Sequence, residues 1–308
     1  MRTVRQAVAR SGWSIRRILK RLGIARAVYY EWRERDEDSR LDDMVPGGRC
    51  LSAVLAEEKA AVIAYGLAHP KEGYRRLAWM MVDEDVAYLS PASVYRVLDD
   101  ADLLYRWKRS GRIGEKPAAP TRPNQRWHTD IMYLRVADTW YFLVSLIDGY
   151  SRYVVHWELL TTMRSSDVRL VVQQALEAWN VRDVEIITDN GSQFTSADFK
   201  ALIRQFQLQH IRIRTYHPES NGTIERFHRS TREALADEDL RNLSRARELI
   251  GRWVAQYNES RLHAGLQYLT PADYFRGEPA KRLNVRREKL ERGRREREAA
   301  NRGRVHAA

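Results

Sequence analysis

The sequence predicts an α/β domain built on a mixed five-stranded sheet, with all-helical units ahead of it. Short turns separate the first three apolar segments, which is typical of an antiparallel meander. A predicted helix with an apolar stripe, residues 165–180, then leads into a fourth strand, and a crossover helix makes the strands that it joins parallel. Further helices are expected over residues 196–207 and around Glu225. The predicted strands are residues 127–134, 140–147, 152–157, 184–188 and 209–213.

Two helical units precede the predicted sheet. Residues 1–35 contain a helix that Ser14 can cap, a tight turn at Gly23 and a second, aromatic-rich helix, an order typical of a helix-turn-helix. A helix-turn-helix would bind DNA; the alternative is an ordinary pair of helices, joined by a glycine turn, that does not. Residues 51–105 form the second unit, in which Pro91 at a first helical position marks a helix start.

Length, charge and cysteine content limit the possible functions. With 308 residues, 44% of them hydrophobic, the chain can form about two domains with real cores. The net charge of +12 and the pI near 9.9 indicate a polyanionic partner, nucleic acid before a membrane surface. Cys50 is the one cysteine, which excludes an intrachain disulfide and a cysteine-based zinc site. Since no apolar run resembles a membrane span or a signal peptide, we expect a soluble, cytoplasmic protein.

Two segments concentrate the positive charge. Residues 106–123 combine lysines and arginines with glycines and prolines, which predicts an extended basic linker able to follow a phosphate backbone, or an ordinary solvated connection. Residues 276–308 hold twelve Lys or Arg and five Glu, a net charge of +7. This tail could be an exposed helix, a DNA-binding arm or a frayed, solubilising end.

Three carboxylates are candidates for metal ligands. Asp130 lies in a strand that is apolar on both faces, and Asp189 ends a short apolar strand, where α/β sheets bind ligands. Glu225 lies beside the apolar stripe of a helix and is half-shielded, with Arg232 two turns further along. A buried carboxylate needs a partner, and a hard divalent cation supplies one. On the helix alone, an ordinary surface helix is the alternative. The stripe consists of Ile224, Phe227, Thr231 and Leu235.

These residues resemble the D, D, E triad of integrase-core transposases of insertion sequences. Asp189 and Glu225 are separated by thirty-five residues, as in that family, and Arg232 matches its basic residue seven places after the Glu. The resemblance covers roughly residues 65 to 275, and the family usually has Pro where this chain has Leu262. Similar blocks are Trp127-His-Thr-Asp130, Asp148-Gly-Tyr-Ser-Arg152, Thr188-Asp-Asn-Gly191, His217-Pro-x-x-Asn-Gly-x-x-Glu225, Tyr257-Asn-Glu-Ser-Arg-Leu-His263 and Thr270-Pro271.

The resemblance implies an RNase H-like catalytic core over residues 124–275. It implies that Asp130, Asp189 and Glu225 are catalytic and hold two Mg²⁺ ions, for which Mn²⁺ can substitute. The partner would be double-stranded DNA, both the terminal inverted repeats of the element and the target DNA. The protein would form a homo-oligomer on this DNA. The expected DNA-binding residues are Arg232, Asn190, His217, Asn221, Arg226 and Arg229.

Two polar residues near the triad do not require a catalytic role. His128 shares a strand face with Asp130, and it is either a packed, hydrogen-bonded residue or a support for the site. Asp148 is a rival carboxylate, but its position in a glycine turn before Ser151 accounts for it without catalysis.

The sequence therefore predicts a transposase that cleaves DNA strands and transfers them, in the bacterial cytoplasm and associated with the nucleoid. One alternative is a DNA-binding protein with a catalytically silent core, against which the intact triad argues. Another is a nuclease acting on RNA–DNA hybrids, which the two N-terminal units disfavour.

Overall fold

The computed structural model describes residues 2–37, 51–104, 119–212 and 222–306. The chain divides into two compact units, Met1–Leu51 and Ser52–Ala308. Four predictions lie outside the described residues: the loop with Cys50, the basic linker as far as residue 118, and the DNA contacts of His217 and Asn221.

The described part of the first unit, residues 2–37, forms three helices around a small apolar core. Gly12 and Gly23 have φ angles of 63° and 68°, the left-handed conformation that lets the chain turn between successive helices. Ser14 stands at the predicted helix start, but its side chain makes no capping hydrogen bond. Val4, Ile18, Leu19 and Tyr29 form the core. The helices are α1 (Arg2–Ser11), α2 (Ile15–Arg21) and α3 (Arg26–Glu37).

The second unit begins with a three-helix bundle. Ser90 caps α6 by accepting a hydrogen bond of 3.2 Å from the backbone N–H of Ser93, and Pro91 occupies the first turn, as predicted. Val62, Leu77, Met81, Val94 and Leu98 are among its buried core residues. The helices are α4 (Ala56–Ala68), α5 (Tyr74–Asp83) and α6 (Pro91–Asp100).

A mixed five-stranded sheet follows, in the order β3-β2-β1-β4-β5, which confirms the sequence prediction. β1 pairs antiparallel with β2 and β2 with β3, while β4 lies parallel to β1 and to β5. The hairpin is longer than predicted, because cross-strand pairing continues as far as Val136 and Thr139. The strands are β1 (Arg126–Val136), β2 (Thr139–Asp148), β3 (Val154–Leu160), β4 (Glu185–Thr188) and β5 (Gln209–Arg212).

Helices cover both faces of this sheet and bury two separate apolar clusters. Trp127 of β1 packs in one cluster with residues of α7 and α9, and Met132 of β1 packs in the other with residues of α10 and α11. Because side chains alternate along a strand, Asp130 belongs to the α10 face. The helices are α7 (Ser165–Trp179), α8 (Ser192–Thr195), α9 (Ala197–Gln205), α10 (Gly222–Leu235), α11 (Leu243–Glu259) and α12 (Pro271–Phe275).

The basic C-terminal segment forms one long helix, α13 (Pro279–His306), that packs against the α4–α6 bundle. The Arg286 guanidinium is 3% exposed and donates from Nε to Oδ1 of Asp83 at 2.8 Å and from Nη2 to the Tyr268 carbonyl at 2.8 Å. Arg297 donates to Glu58 at 2.8 Å. A frayed end, which the sequence left open, is therefore wrong for these residues. Polar pairs, not an apolar stripe, hold the helix.

Candidate active site

Asp130 lies in the middle strand of the sheet, under α10. Its Oδ1 accepts a hydrogen bond of 2.9 Å from the backbone N–H of Ile131, and its Oδ2 lies 3.5 Å from Nδ1 of His228. Ser145 is its cross-strand partner on β2. The side chain is 22% exposed, so one side of the carboxylate is open to a ligand.

Asp189 directly follows β4, at the carboxyl end of a strand that lies beside β1. Its Oδ1 accepts a 2.9 Å hydrogen bond from the backbone N–H of Gly191, which closes the predicted Asp-Asn-Gly turn. A Cβ at Gly191 would lie 3.0 Å from that same oxygen, so a side chain there would crowd the carboxylate. The turn leads straight into α8, and both Asp189 and Asn190 are exposed.

Glu225 stands in the first turn of α10. The predicted apolar stripe is buried, which confirms the periodicity of this helix: Ile224, Phe227, Thr231 and Leu235. Glu225 itself is exposed and not half-shielded, a correction to the sequence prediction. Its neighbour Arg226 and two further arginines, Arg229 and Arg232, are also exposed, so α10 presents two acids, Glu225 and Glu233, and three cations to solvent.

The charges of Asp189 and Glu225 act on the buried carboxylate of Asp130. Burial, together with the charges of Asp189 and Glu225, raises the pKa of Asp130 to about 6, while the Ile131 N–H and Arg232 oppose the change. Two negative charges thus lie near enough to Asp130 to disfavour its ionised form. A cation bound among the three carboxylates would reverse this repulsion.

A divalent metal ion fits this donor set by its chemistry. Carboxylate oxygens are the ligands that Mg²⁺ and Ca²⁺ prefer, and repulsion among acids marks a place where a cation is stabilised. In the part of the chain that the structure describes, no three His, Cys, Asp or Glu side chains are already grouped closely enough to hold a metal. The carboxylates therefore have the right chemistry without a closed cage.

His228 is a site residue that the sequence analysis missed. It is 4% exposed, and its Nε2 lies 3.1 Å from the Ser145 hydroxyl. Burial lowers its pKa to about 4, with Arg232 acting in the same direction, so the ring is neutral at physiological pH. Its place three residues after Glu225, one helical turn along α10, is the signal that could have found it.

The structure also defines the roles of Asp148 and His128. Asp148 is fully buried and accepts hydrogen bonds from the Ser151 backbone N–H at 2.7 Å, the Ser151 hydroxyl at 2.6 Å and the Asn124 backbone N–H at 2.8 Å. This confirms that it is a turn residue. His128 is buried, and within the described residues its Nδ1 has no hydrogen-bond partner, so the expected hydrogen bonding is incomplete.

Comparisons with known proteins connect this geometry to a family. Residues 120–218 match a family model described as integrase core domain, and residues 206–271 match a second model with the same description. The chain has an integrase core and is related to insertion-sequence transposases. The resemblance drawn from the sequence is thereby confirmed, and the core has the predicted mixed five-stranded sheet with helices ahead of it.

The relatives of this integrase core include proteins of two bacterial insertion elements. An uncharacterized 39.2 kDa protein of insertion element IS476 from Xanthomonas euvesicatoria is 29% identical over 270 residues, which cover 85% of this chain and 75% of that protein. Transposase InsF for insertion sequence IS3A from Escherichia coli (strain K12) is 29% identical over 274 residues, 85% of this chain and 94% of InsF. The HTLV-2 integrase catalytic core domain, solved in complex with magnesium, is 20% identical over 50% of this chain and 97% of its own, with a TM-score of 0.42.

Leu262 marks a difference between this integrase core and its family, which usually has Pro at that position. Leu262 is buried, and its carbonyl accepts a 3.1 Å hydrogen bond from Arg76. The difference therefore lies in a packing segment and not at one of the three carboxylates. None of the helices in the described ranges has the length and apolar character needed to cross a membrane.

Proposed function

We propose that the protein is a transposase whose integrase core catalyses DNA strand cleavage and strand transfer, with Asp130, Asp189 and Glu225 as catalytic residues. The observation that carries this proposal is the placement of the three carboxylates: Asp130 on β1, Asp189 at the carboxyl end of the adjacent β4, and Glu225 on α10, which covers the Asp130 face of the sheet. Burial, together with the charges of the other two carboxylates, raises the pKa of Asp130 to about 6, in agreement with this placement. The three side chains come from two adjacent strands and a helix that are far apart in the sequence. Such convergence is expected of a site and not of scattered surface acids.

The chemistry would be an in-line displacement at a DNA phosphorus atom. The attacking oxygen is that of water in strand cleavage and a DNA 3′-hydroxyl in strand transfer, and the bond to the leaving oxygen breaks as the new bond forms. Asp130, Asp189 and Glu225 would hold Mg²⁺, which supplies charge that activates the attacking oxygen and stabilises the leaving one. No covalent link between protein and DNA is required.

The surrounding residues would position these groups and the DNA. The Ile131 N–H donates to Oδ1 of Asp130, and the neutral His228 ring lies 3.5 Å from Oδ2 on the other side. The exposed arginines of α10 would contact backbone phosphates, since guanidinium groups match phosphate geometry. They would bind DNA and take no part in proton transfer, because an arginine stays protonated. Asn190, beside Asp189, would contact the DNA as well.

Recognition of the element's ends is assigned to the helical units, residues 1–35 and 51–105. In the first unit, exposed aromatic rings lie beside cations: the Arg17 guanidinium lies 4.0 Å from the Trp13 ring centroid, and Arg33 lies 4.9 Å from that of Tyr30. A fragment of residues 1–105 should bind terminal-repeat duplex better than scrambled duplex. Equal binding of both by the fragment, with discrimination by the core alone, would place recognition in the core.

The test of the catalytic assignment uses charge-removing variants of the full chain. Asp130→Asn, Asp189→Asn and Glu225→Gln should each lower Mg²⁺-dependent cleavage of a terminal-repeat duplex by about 100- to 1000-fold, the scale of losing one central electrostatic group. DNA affinity and the melting temperature should hardly change. Glu233→Gln on the same helix and Asp138→Asn in the exposed β1–β2 turn are matched controls and should cleave normally.

The same assay separates the alternatives. A silent core predicts binding of terminal-repeat duplex with no Mg²⁺-dependent cleavage, and a hybrid nuclease predicts faster cleavage of an RNA–DNA hybrid than of duplex DNA. Cleavage at wild-type rates by any of the three carboxylate variants would remove that residue from the site.

A further inference from the structure

A cationic groove lies near Asp189, on a different side from the α10 arginines. It is a cavity of about 430 Å³ between α8, α9 and β5. Lys200 and Arg204 stand one turn apart on α9, and Arg212 ends β5. Thr195, His210 and the edge of Phe194 complete the polar and aromatic lining.

The cations of this groove are free to meet an anion. No acidic side chain lines the cavity, and the groove therefore has one sign of charge. Among the described residues, no Asp or Glu lies within ion-pair distance of Lys200, Arg204 or Arg212. All three side chains are exposed. This differs from α13, where most cations face acids. An unpaired basic groove of this kind suits the phosphates of a nucleic acid.

Short connections join the groove to Asp189. Arg212 is the β-sheet partner of Thr188, the residue directly before Asp189. His210 lies 2.9 Å from the Thr188 hydroxyl through its Nε2. Phe194 donates its backbone N–H at 3.0 Å to the carbonyl of Gly191, whose own N–H holds Asp189. Hydrogen bonds and strand pairing therefore connect the wall of the groove to the segment that carries the Asp189 carboxylate.

The groove and the α10 arginines lie on opposite faces of the sheet. Phe194 and Phe199 pack in the apolar cluster on the α7 and α9 face, whereas α10 packs in the cluster on the other face. Asp189, at the end of β4, lies between the two sets of cations. A reaction that joins two DNA segments needs two paths for phosphate backbones, and these cations outline two.

We propose that the groove of Lys200, Arg204 and Arg212 binds the backbone of the second DNA segment, the flanking or target duplex, while the α10 arginines bind the element's end. This inference rests on the proposed transposase function. It names a ligand for a surface to which the proposed function gives no role. Its contacts are to phosphates, so it contributes affinity without reading bases.

The first test is a cross-link that needs no catalysis. Because Cys50 is the one cysteine, Cys50→Ser gives a cysteine-free background into which Lys200→Cys is introduced. Duplexes with a tether on a single phosphate are offered to this variant, and the tether lies within the terminal repeat, in the flank beyond it, or in an unrelated target duplex. The tether ends in a mixed disulfide with a small thiol, so exchange with the cysteine forms the cross-link and releases that thiol. Arg182→Cys, exposed in the loop ahead of β4 and thus at its opposite end, is the control.

The expected result is a disulfide from Lys200→Cys to flank or target phosphates at a yield at least five-fold above that of repeat phosphates and above that of Arg182→Cys. Equal yields at all positions, or a preference for the repeat, would overturn the assignment of the second segment. Since cross-linking proceeds without Mg²⁺, a negative cleavage assay would count against the proposed function and leave this result standing.

The second test measures binding in the full chain. Lys200→Ala/Arg204→Ala should flatten the dependence of log K on log salt for target duplex by about 2, since each lost phosphate contact removes about 0.9. Affinity for isolated terminal-repeat duplex should stay within two-fold, and Arg182→Ala should change neither. An unchanged slope for target duplex, or an equal loss on both duplexes, would refute the proposal. Strand-transfer reactions then show whether the groove binds target or flanking DNA. Pre-cleaved ends, which lack the flank, are compared with substrates that still contain it.

Discussion

Two arginine-rich helices of this chain use the same side chain in opposite ways. On α13, Arg286 and Arg297 point inward, are 3% and 8% exposed, and bind Asp83 and Glu58. On α10, Arg226, Arg229 and Arg232 point outward, and among the described residues no acid lies within ion-pair distance of them. One set holds the fold together, and the other is left for a ligand.

The contrast shows that a count of positive charges does not locate a DNA-binding surface. The segment 276–308 carries a net charge of +7, yet several of its cations are already matched with acids of the chain. A phosphate must displace such a partner before it can bind, whereas it meets the α10 arginines directly. Substitutions on the two helices should therefore differ in their effects on stability and on DNA binding.

The largest effect on stability should come from Arg286→Ala on α13. The substitution leaves the mostly buried Asp83 without its main partner, and breaking a buried ion pair costs about 3–5 kcal/mol. We expect a fall in melting temperature on the order of 10 °C, measured by calorimetry or circular dichroism. The adjacent exposed Arg287→Ala should melt within 2 °C of wild type, a margin of roughly 0.5 kcal/mol. Equal melting of both variants would show that the inward arginines do not stabilise the fold.

A smaller effect should come from Gly293→Ala, where α13 lies close against Tyr88. The new Cβ would lie 2.5 Å from the Cβ of Tyr88, so the helix must shift, at a cost of about 1–3 kcal/mol. Gly303→Ala is the control on the same helix, because a Cβ there meets nothing within 4 Å. Alanine favours helix over glycine by roughly 0.5–1 kcal/mol, so chemical denaturation should give the two variants opposite signs. Two stabilising substitutions would mean that α13 is not docked.

Removing the three α10 arginines together should hardly affect stability and should strongly affect DNA binding. Exposed substitutions change the free energy of unfolding by less than about 0.5 kcal/mol each. Three lost phosphate contacts should flatten the salt dependence of terminal-repeat binding by about 2.7. Fluorescence anisotropy at several salt concentrations measures this slope. An unchanged slope together with a lowered melting temperature would show that these arginines stabilise the fold, as the α13 arginines do, and do not bind DNA.

The smallest effect concerns pH and Arg232 alone. Arg232 lowers the pKa of Asp130, so Arg232→Ala should raise that pKa above its value of about 6. A folded-state pKa above the ordinary 3.8 means that the stability contribution of Asp130 is full at acid pH and is lost as pH rises through about 6. The variant should therefore lose a few tenths of a kcal/mol at pH 8 and almost nothing at pH 5, in metal-free denaturation. Arg229→Ala should show no such difference between the two pH values.

Local patterns in the sequence predicted much of this structure. The spacing of Ile224, Phe227, Thr231 and Leu235 indicated the buried face of α10, and the Asp-Asn-Gly turn indicated the place of Asp189. Both depend on residues within a few positions of one another, where helical and turn geometry is set. The fold of the core and its three candidate carboxylates were predictable for this reason.

Contacts between distant segments were not predictable in the same way. Nothing near Arg286 marks it as the partner of Asp83, which lies 203 positions earlier, and α13 shows no apolar stripe to reveal its docked face. His228 was missed because its contacts with Asp130 and Ser145 exist only once α10 lies on the sheet. The exposure of Glu225 likewise depends on how α10 is placed.

The docking of α13 also sets an order of events during synthesis. Asp83 leaves the ribosome 203 residues before Arg286, a delay of roughly 10–40 s at 5–20 residues per second. Until then the bundle of α4–α6 keeps two acids without their cations, and a hydrogen bond from Asn301 to the carbonyl of Ala53 joins the two ends of the second unit. A nascent chain therefore completes this unit only after nearly all of it has been translated. Since those ends meet in space, a circularly permuted gene that joins them and opens an exposed loop elsewhere should still encode a folded protein.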